Sequence, residues 1–250
     1  IGGVVVAVAG DTDAPNIYPG ADETFDDEVD FDCDGANGIE LSELMAGEML
    51  ITEVMINADI FQSGSAEDGE WVEIYNNSGE QVRINGMTVT VTNTSSGSAT
   101  SDTIPSDATD PDVVVGVDEY IVFVRTDENG ISSEVSVYNY DEAFGFSNSS
   151  ERQISVSEGT TTFDDITYDS TWPYAGDVAM SLSSDLYLPD VEGTRADDTV
   201  NDDFEDATSG DPFWCEATGA YYTDTDDADG DEDTTETILG SPGVDNPVCE

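Results

Sequence analysis

An all-β sandwich is the fold class this sequence predicts, and three features predict it. Val, Ile, Thr, Ser, Gly and Asn dominate, a composition that favours strands and turns over helices. From residue 49 onward, short apolar-rich runs recur at regular spacing between clusters of Gly, Asn, Asp and Ser. No stretch carries the sustained 3.6-residue period of an amphipathic helix. Leu41–Met45 is expected to form a single helical turn at most.

The strands follow in chain order. Met49–Ile56 is the first. Glu70–Tyr75 alternates apolar and acidic residues, as a half-buried strand should, and places Trp71, Ile74 and Tyr75 in the core. A third strand lies within 82–91, with Gly86 as a turn residue. Tyr120–Val124 is a continuous apolar run, and runs at 153–156, 163–168 and 179–183 follow. Such a series separated by turns reads as a sandwich. Ser241-Pro242-Gly243 reads as a chain reversal that locks the C-terminal segment.

Charge excludes whole classes of function. The 250 residues hold 58 Asp and Glu, four Arg, no Lys and no His, for a formal net charge of −54. Without His there is no Ser-His-Asp or Cys-His pair and no His-ligated zinc or haem. Without Lys there is no P-loop, Schiff base or Ser-Lys pair. Such a field repels phosphate backbones and anionic membranes, so nucleic acid is not an expected partner. Among so many acids, some carboxylate pair meets a glycosidase spacing by chance, and the Asp-Thr/Ser-Gly signature of aspartic proteases is absent. The chain therefore reads as a non-enzyme. Compact folding under this charge calls for salt screening or bound divalent cations. The Asp excess without Lys looks like marine or hypersaline adaptation; a solubility coat is the plainer alternative. The four cations, Arg83, Arg125, Arg152 and Arg195, are each expected in a multidentate carboxylate or intersubunit pair.

Two Asp clusters have calcium-loop spacing. Asp30, Asp32 and Asp34 alternate before Gly35, which are positions 1, 3, 5 and 6 of an EF-hand-like loop. Alternate carboxylates converge as the backbone curls around the ion, and the Gly permits the sharp turn. Ala36 offers its carbonyl. The twelfth position is Leu41, so Glu40 or Glu43 has to close the shell, and Asp26 and Asp27 are further donors. In the second cluster Thr225, Asp227, Asp229 and Gly230 hold the same spacing, with Glu236 twelfth. A solvated acidic loop is the other reading of both stretches.

Cys215 and Cys249 flank one Asp-rich stretch and are paired on that ground, which leaves Cys33 free or bonded to another chain. A disulfide in an acidic chain points to an extracellular or cell-surface location. Asn76, Asn93 and Asn148 each open a glycosylation sequon. Residues 1–10 read IGGVVVAVAG, too short to span a bilayer, which needs ~20 apolar residues. No membrane insertion of the mature chain is expected. Ala7-Val8-Ala9 resembles a signal-peptidase site, and a first residue other than Met implies earlier processing. Val4, Val5, Val6 and Val8 make a strand-like run that must be paired, at an edge of its own sheet or in a neighbouring subunit as a donor strand.

Two family resemblances add to this. Tyr18-Pro19-Gly20-Ala21-Asp22-Glu23 followed by Asp30-Phe31-Asp32-Cys33-Asp34-Gly35 resembles the Asp-rich proposed metal-binding repeat of secreted bacterial surface proteins. That repeat carries an upstream Cys, which is missing here near Asp11. LITEVMIN (50–57), GEWVEIYNNSGEQVRINGMTV (69–89), DEYIVFV (118–124), FSNSSERQISV (146–156), ITYDSTWP (166–173) and GSPGVDN (240–246) resemble, in order, the lamin-tail domain of secreted prokaryotic proteins, as does Trp214-Cys215. The resemblance covers about residues 47–250 and implies an immunoglobulin-like β-sandwich that binds or attaches and has no catalytic residues. Acidic insertions at about 97–117 and 190–235 depart from the pattern and are expected to extend loops.

Three segments follow: a donor-type strand (1–9), an Asp-rich calcium-binding segment (10–46) and a lamin-tail-like sandwich (47–250). The expected function is a structural subunit of an extracellular filament or surface array, a homopolymer of identical subunits joined by donor strands and stiffened by calcium. The alternative is a monomeric adhesion or carbohydrate-binding module of a larger surface protein.

Overall fold

Pairing between distant segments turns these runs into layered sheets. A computed structural model of the chain describes residues 38–58, 69–107, 111–124, 131–133, 135–140, 144–187, 212–224 and 236–249. Their strands are β1 (Ile39–Glu40), β2 (Met49–Met55), β3 (Trp71–Asn76), β4 (Val82–Arg83), β5 (Thr88–Asn93), β6 (Ser98–Thr103), β7 (Val114–Val115), β8 (Tyr120–Val124), β9 (Val137–Asn139), β10 (Arg152–Glu158), β11 (Thr161–Tyr168), β12 (Met180–Leu182), β13 (Trp214–Glu216), β14 (Ala220–Asp224) and β15 (Glu236–Leu239). A 3₁₀ turn at Leu41–Glu43 and one helical turn, α1 (Ser184–Tyr187), are the helical elements among them.

A six-stranded sheet has the order β13-β12-β2-β3-β8-β9, and a four-stranded sheet the order β11-β10-β5-β6. β1-β4-β7 and the hairpin β14–β15 complete the set. The fold is an all-β sandwich, as the composition predicts. Rows of side chains from the six-stranded sheet fill its centre, Ile51–Ile74–Ile121 and Val54–Val72–Phe123. From the four-stranded sheet come Val89, Val91, Ile154, Val156, Ile166 and Tyr168. Each such fully buried aliphatic side chain contributes roughly 1.5–3 kcal/mol. The buried Asp164 of β11 accepts a 2.6 Å bond from the Ile51 N–H of β2, so a polar contact also joins the layers.

A bulge sets the phase of β2. Its register with β3 steps from Ile51↔Ile74 to Glu53↔Glu73, leaving Thr52 as the extra residue. Ile51 and Val54 therefore both reach the central core. Glu53 and Met55 turn to the opposite face of the sheet, in rows with Glu73 and Trp71.

That opposite face is also covered, which corrects the expectation of a half-buried strand at 70–75. Every residue of β3 is buried. The cover is the β14–β15 hairpin with residues 240–249. Tyr221 packs edge-on to Trp71 and its hydroxyl accepts the Trp71 Nε1–H at 3.0 Å. Ile238 joins Met55, Trp71, Val122 and Val124 in this second core.

The expected loop at 97–117 is likewise corrected. It contains β6, paired with β5 along its whole length, and β7. The 190–235 insertion includes β13 and β14. The strand expected within 82–91 is β5, and the turn expected at Gly86, with φ +97°, separates it from the short β4. Residues 39–44, the end of the Asp-rich segment, belong to the sandwich: β1 pairs with β4, and Leu41 and Leu44 enter the main core.

Candidate functional site

The most unusual chemistry among the described residues lies on the covered second face. Glu53 of β2 and Glu73 of β3 are direct cross-strand partners, and both are 0 % exposed. Like charges directly opposite one another on a sheet repel, and burial penalises the ionised forms. Donors from three segments surround the pair. Ser181 of β12 gives its hydroxyl to Glu53 Oε1 at 2.7 Å. Thr52 gives its hydroxyl to Glu73 Oε1 at 2.7 Å. The remaining donors come from residues 240–249, the C-terminal strap. Ser241 N–H reaches Glu53 Oε1 and Oε2 at 3.1 and 3.0 Å, and Gly243 N–H reaches Glu73 Oε2 at 2.6 Å.

The strap is built from its turn chemistry. Gly243 sits at φ +81°, closing the reversal predicted at Ser241-Pro242-Gly243. The buried Asn246 donates from Nδ2 to the carbonyl of the bulge residue Thr52 at 2.7 Å. Asp245 accepts from Tyr120 OH at 2.7 Å. Cys249 then bonds to Cys215 of β13, with Cα atoms 5.7 Å apart, so the pairing expected from the sequence is present in the fold.

Burial pushes the Glu53 carboxyl up to about 7, against the pull of the Ser181 and Ser241 donors. Burial, then the charge of Glu53 and, less strongly, of Asp245, hold Glu73 well above the usual carboxylate range; the Gly243 and Thr52 donors oppose this. Both carboxyls are thus held toward their protonated forms, and the charge of each opposes ionisation of the other. In this closed form the strap seals both carboxyls, and no substrate reaches them. Beside the strap an open cavity of about 200 Å³ is lined by Asp118, Glu119, Tyr120, Val135, Ser136 and Gly243. Both of its carboxylates are engaged: Asp118 accepts from Tyr75 OH and Glu119 from Gly116 N–H.

The residues singled out from the sequence fall elsewhere. Asp30, Asp32, Asp34, Ala36, Asp227 and Asp229 lie outside the described residues, as do Val4, Val5, Val6, Val8 and Cys33. Glu236 opens β15 opposite Asp224. Glu40, one of the two glutamates expected to close the first calcium loop, is gripped by Arg83, whose Nε donates to Oε2 at 3.0 Å and whose Nη2 meets Oε1. Arg83 also reaches Asp112 at 3.4 Å and so fits the multidentate expectation. Arg152 makes no carboxylate pair among the described residues: its donors go to the carbonyls of Gly145 and Glu151 and to the Ser150 hydroxyl, and the intersubunit alternative is left open. Arg125 and Arg195 lie outside the described residues. Among the described residues, no three Asp, Glu or Cys side chains converge as a metal ion requires. No helix among them is long and apolar enough to cross a membrane.

The Asn76 sequon is a structural motif, which corrects its reading as a glycan acceptor. The side chain is 0 % exposed, and Nδ2 donates to the carbonyls of Glu80, Val115 and Gly116. Asn93 caps its own turn, accepting from Ser95 and Ser96 N–H, and Asn148 is exposed.

Sequence reasoning missed Glu53 and Glu73. One signal was present: each is a lone acid inside an apolar run, LITEVMI and WVEIY. No family model matches this chain, and no curated protein matches it.

Proposed function

We propose that the chain is a structural subunit of an extracellular filament or cell-surface assembly, polymerising by donor-strand complementation and stabilised by calcium. The observation that carries this reading is the place of β6 as the outermost strand of its sheet among the described residues. β6 pairs with β5 over all six of its residues without a bulge, and no strand pairs with its other side among the described residues. It has no Lys, Arg or Pro and a single acid, Asp102. Natural sandwiches protect such edges with charges, bulges or Pro. The sequence supplies a complementary strand in Val4–Val8. Backbone pairing of this kind is a contact that two chains of charge −54 can make without opposing carboxylates.

The lamin-tail resemblance supports an immunoglobulin-like arrangement of the sandwich and a role in attachment rather than catalysis. The Asp-rich loops support calcium, which would lower the net charge where subunits meet. The Cys215–Cys249 bond and the acidity support an oxidising, extracellular setting.

Electron microscopy and light scattering of the purified chain test the reading: polymers are expected, and deletion of residues 1–9 should leave monomers. Polymers that persist after the deletion contradict it. Chelation at fixed ionic strength should lower the melting temperature, and an unchanged value removes the calcium part.

One observation favours the alternative, a monomeric carbohydrate-binding or adhesion module. The outer face of the four-stranded sheet carries rows Ser101–Thr90–Ser155–Asp165 and Ala99–Thr92–Gln153–Thr167. It is an array of hydroxyls and one amide with a single acid, suited to an uncharged glycan. Monomers in solution that are retained on a neutral polysaccharide would favour this reading.

A further inference from the structure

We propose that the C-terminal strap is a proton-held clasp: residues 240–248 stay seated on the six-stranded sheet while the Glu53–Glu73 pair keeps a proton, and swing open on their two fixed ends when the pair ionises fully. The geometry supplies each part. The strap contributes three of the hydrogen-bonded seats that define the closed form, Ser241 on Glu53, Gly243 on Glu73 and Asn246 on Thr52. Its two ends are fixed independently of the pair. Gly240 N–H bonds the Gly219 carbonyl at 2.7 Å, and Cys249 is bonded to Cys215. Opening is therefore the release of a tethered loop, not loss of the C-terminus.

No positive charge among the described residues offsets the pair. From β2 and β3 come the two glutamates themselves, and from β12 the neutral Ser181. β8 presents Val122 beside Glu73. β14 presents Tyr221, whose hydroxyl is taken by Trp71. Asp177, in the turn before β12, acts on Tyr221. The strap presents Asp245, a third acid whose charge acts on Glu73. Arg83 is committed to Glu40 and Asp112, and Arg152 to Gly145, Glu151 and Ser150. A second negative charge on the pair thus meets burial, its twin and Asp245. The strap's N–H donors favour the ionised form, but burial and repulsion outweigh them.

The sign follows. A carboxyl whose pKa is raised in the closed form stabilises closure fully below its open-state value and loses that contribution as pH rises through the closed-state value. For Glu53 the window runs from 4.5 to about 7, and Glu73, also raised, adds to the loss. Ordinary exposed carboxylates finish titrating near the bottom of this window. The chain has no His, the usual neutral-range switch. A buried acid pair takes that place.

Hydrogen exchange read by mass spectrometry on the full chain tests the clasp, at fixed ionic strength of about 1 M to screen surface repulsion. The probe is a peptide spanning 240–248, and the internal reference is one spanning β10–β11. Strap exchange, divided by that of a Glu53→Gln/Glu73→Gln variant at the same pH so that intrinsic rates cancel, is expected to rise from about pH 5 to 7 by up to about tenfold per pH unit for each raised carboxyl, about a hundredfold for the pair. A constant ratio overturns the proposal. Should the double variant fail to fold, the wild-type chain alone decides. Strap exchange that outpaces the β10–β11 reference, each corrected for its intrinsic rate, supports the clasp, and a parallel rise in both peptides overturns it.

Discussion

Single residues decide whether the second face of the six-stranded sheet can close. Gly240 packs so tightly that an added Cβ would lie 3.0 Å from the Tyr221 ring and 3.2 Å from Trp71. Both rings are locked to each other by the Trp71–Tyr221 hydrogen bond, so neither yields easily. Gly240→Ala is expected to destabilise the fold by about 1–3 kcal/mol, the usual range for overpacking, in denaturant unfolding. A change within error would show that the hairpin adapts. Asn76 works at the same scale. Its amide serves three carbonyls while its Oδ1 accepts from Ser78 N–H at 3.0 Å, so one side chain satisfies a whole turn. Asn76→Ala leaves several of those groups unsatisfied and should cost at least about 2 kcal/mol, measured in the same way. Glycan analysis of the chain expressed through a glycosylating secretory pathway should find Asn76 bare.

Elements divide into paired and unpaired edges. β3 lies between β2 and β8 and is buried on both faces, so it has no role in contact with a partner. β6 is the outermost strand of its sheet among the described residues. Ala99 and Ser101 project from its exposed face. Replacing both with Lys puts two ammonium groups where an incoming strand would lay its valines, a device natural edges use. Under the donor-strand proposal the double variant should form no polymers, seen by light scattering, and should keep monomer stability within about 0.5 kcal/mol, as exposed substitutions do. Continued polymer growth would point to another edge. The alternation in 70–75 was readable as a strand but not as a doubly covered one. Coverage comes from Tyr221, Ile238 and Ser241, each more than a hundred positions away along the chain.

The whole molecule balances charge against closure of the chain. Raising salt from about 0.1 to 1 M shortens the screening length from ~10 Å to ~3 Å. Melting temperature should therefore climb across that range, and a flat profile would mean that the surface acids are neutralised locally instead. The Cys215–Cys249 bond closes a 34-residue separation. On the chain-entropy model its loss costs about 3–4 kcal/mol. A Cys215→Ser/Cys249→Ser variant should show that loss, together with faster strap exchange, because one end of the strap is then untethered.

Composition, alternation and turn residues by themselves determined the all-β class, the positions of most long strands, the Gly86 and Ser241–Gly243 reversals and the Cys215–Cys249 pair. These are local properties: side-chain period, backbone freedom and spacing act over a few residues, and the disulfide was read from two cysteines that flank one Asp-rich stretch. Only the tertiary structure decided which acids are wet. Glu40 meets an arginine because β1 happens to lie beside β4. Glu53 reaches the second face because of a one-residue bulge. Glu53 and Glu73 become a dry, proton-holding pair because a segment nearly two hundred residues downstream folds back over them. Burial is a property of what lies across the interface, and a strand's own sequence carries no record of it.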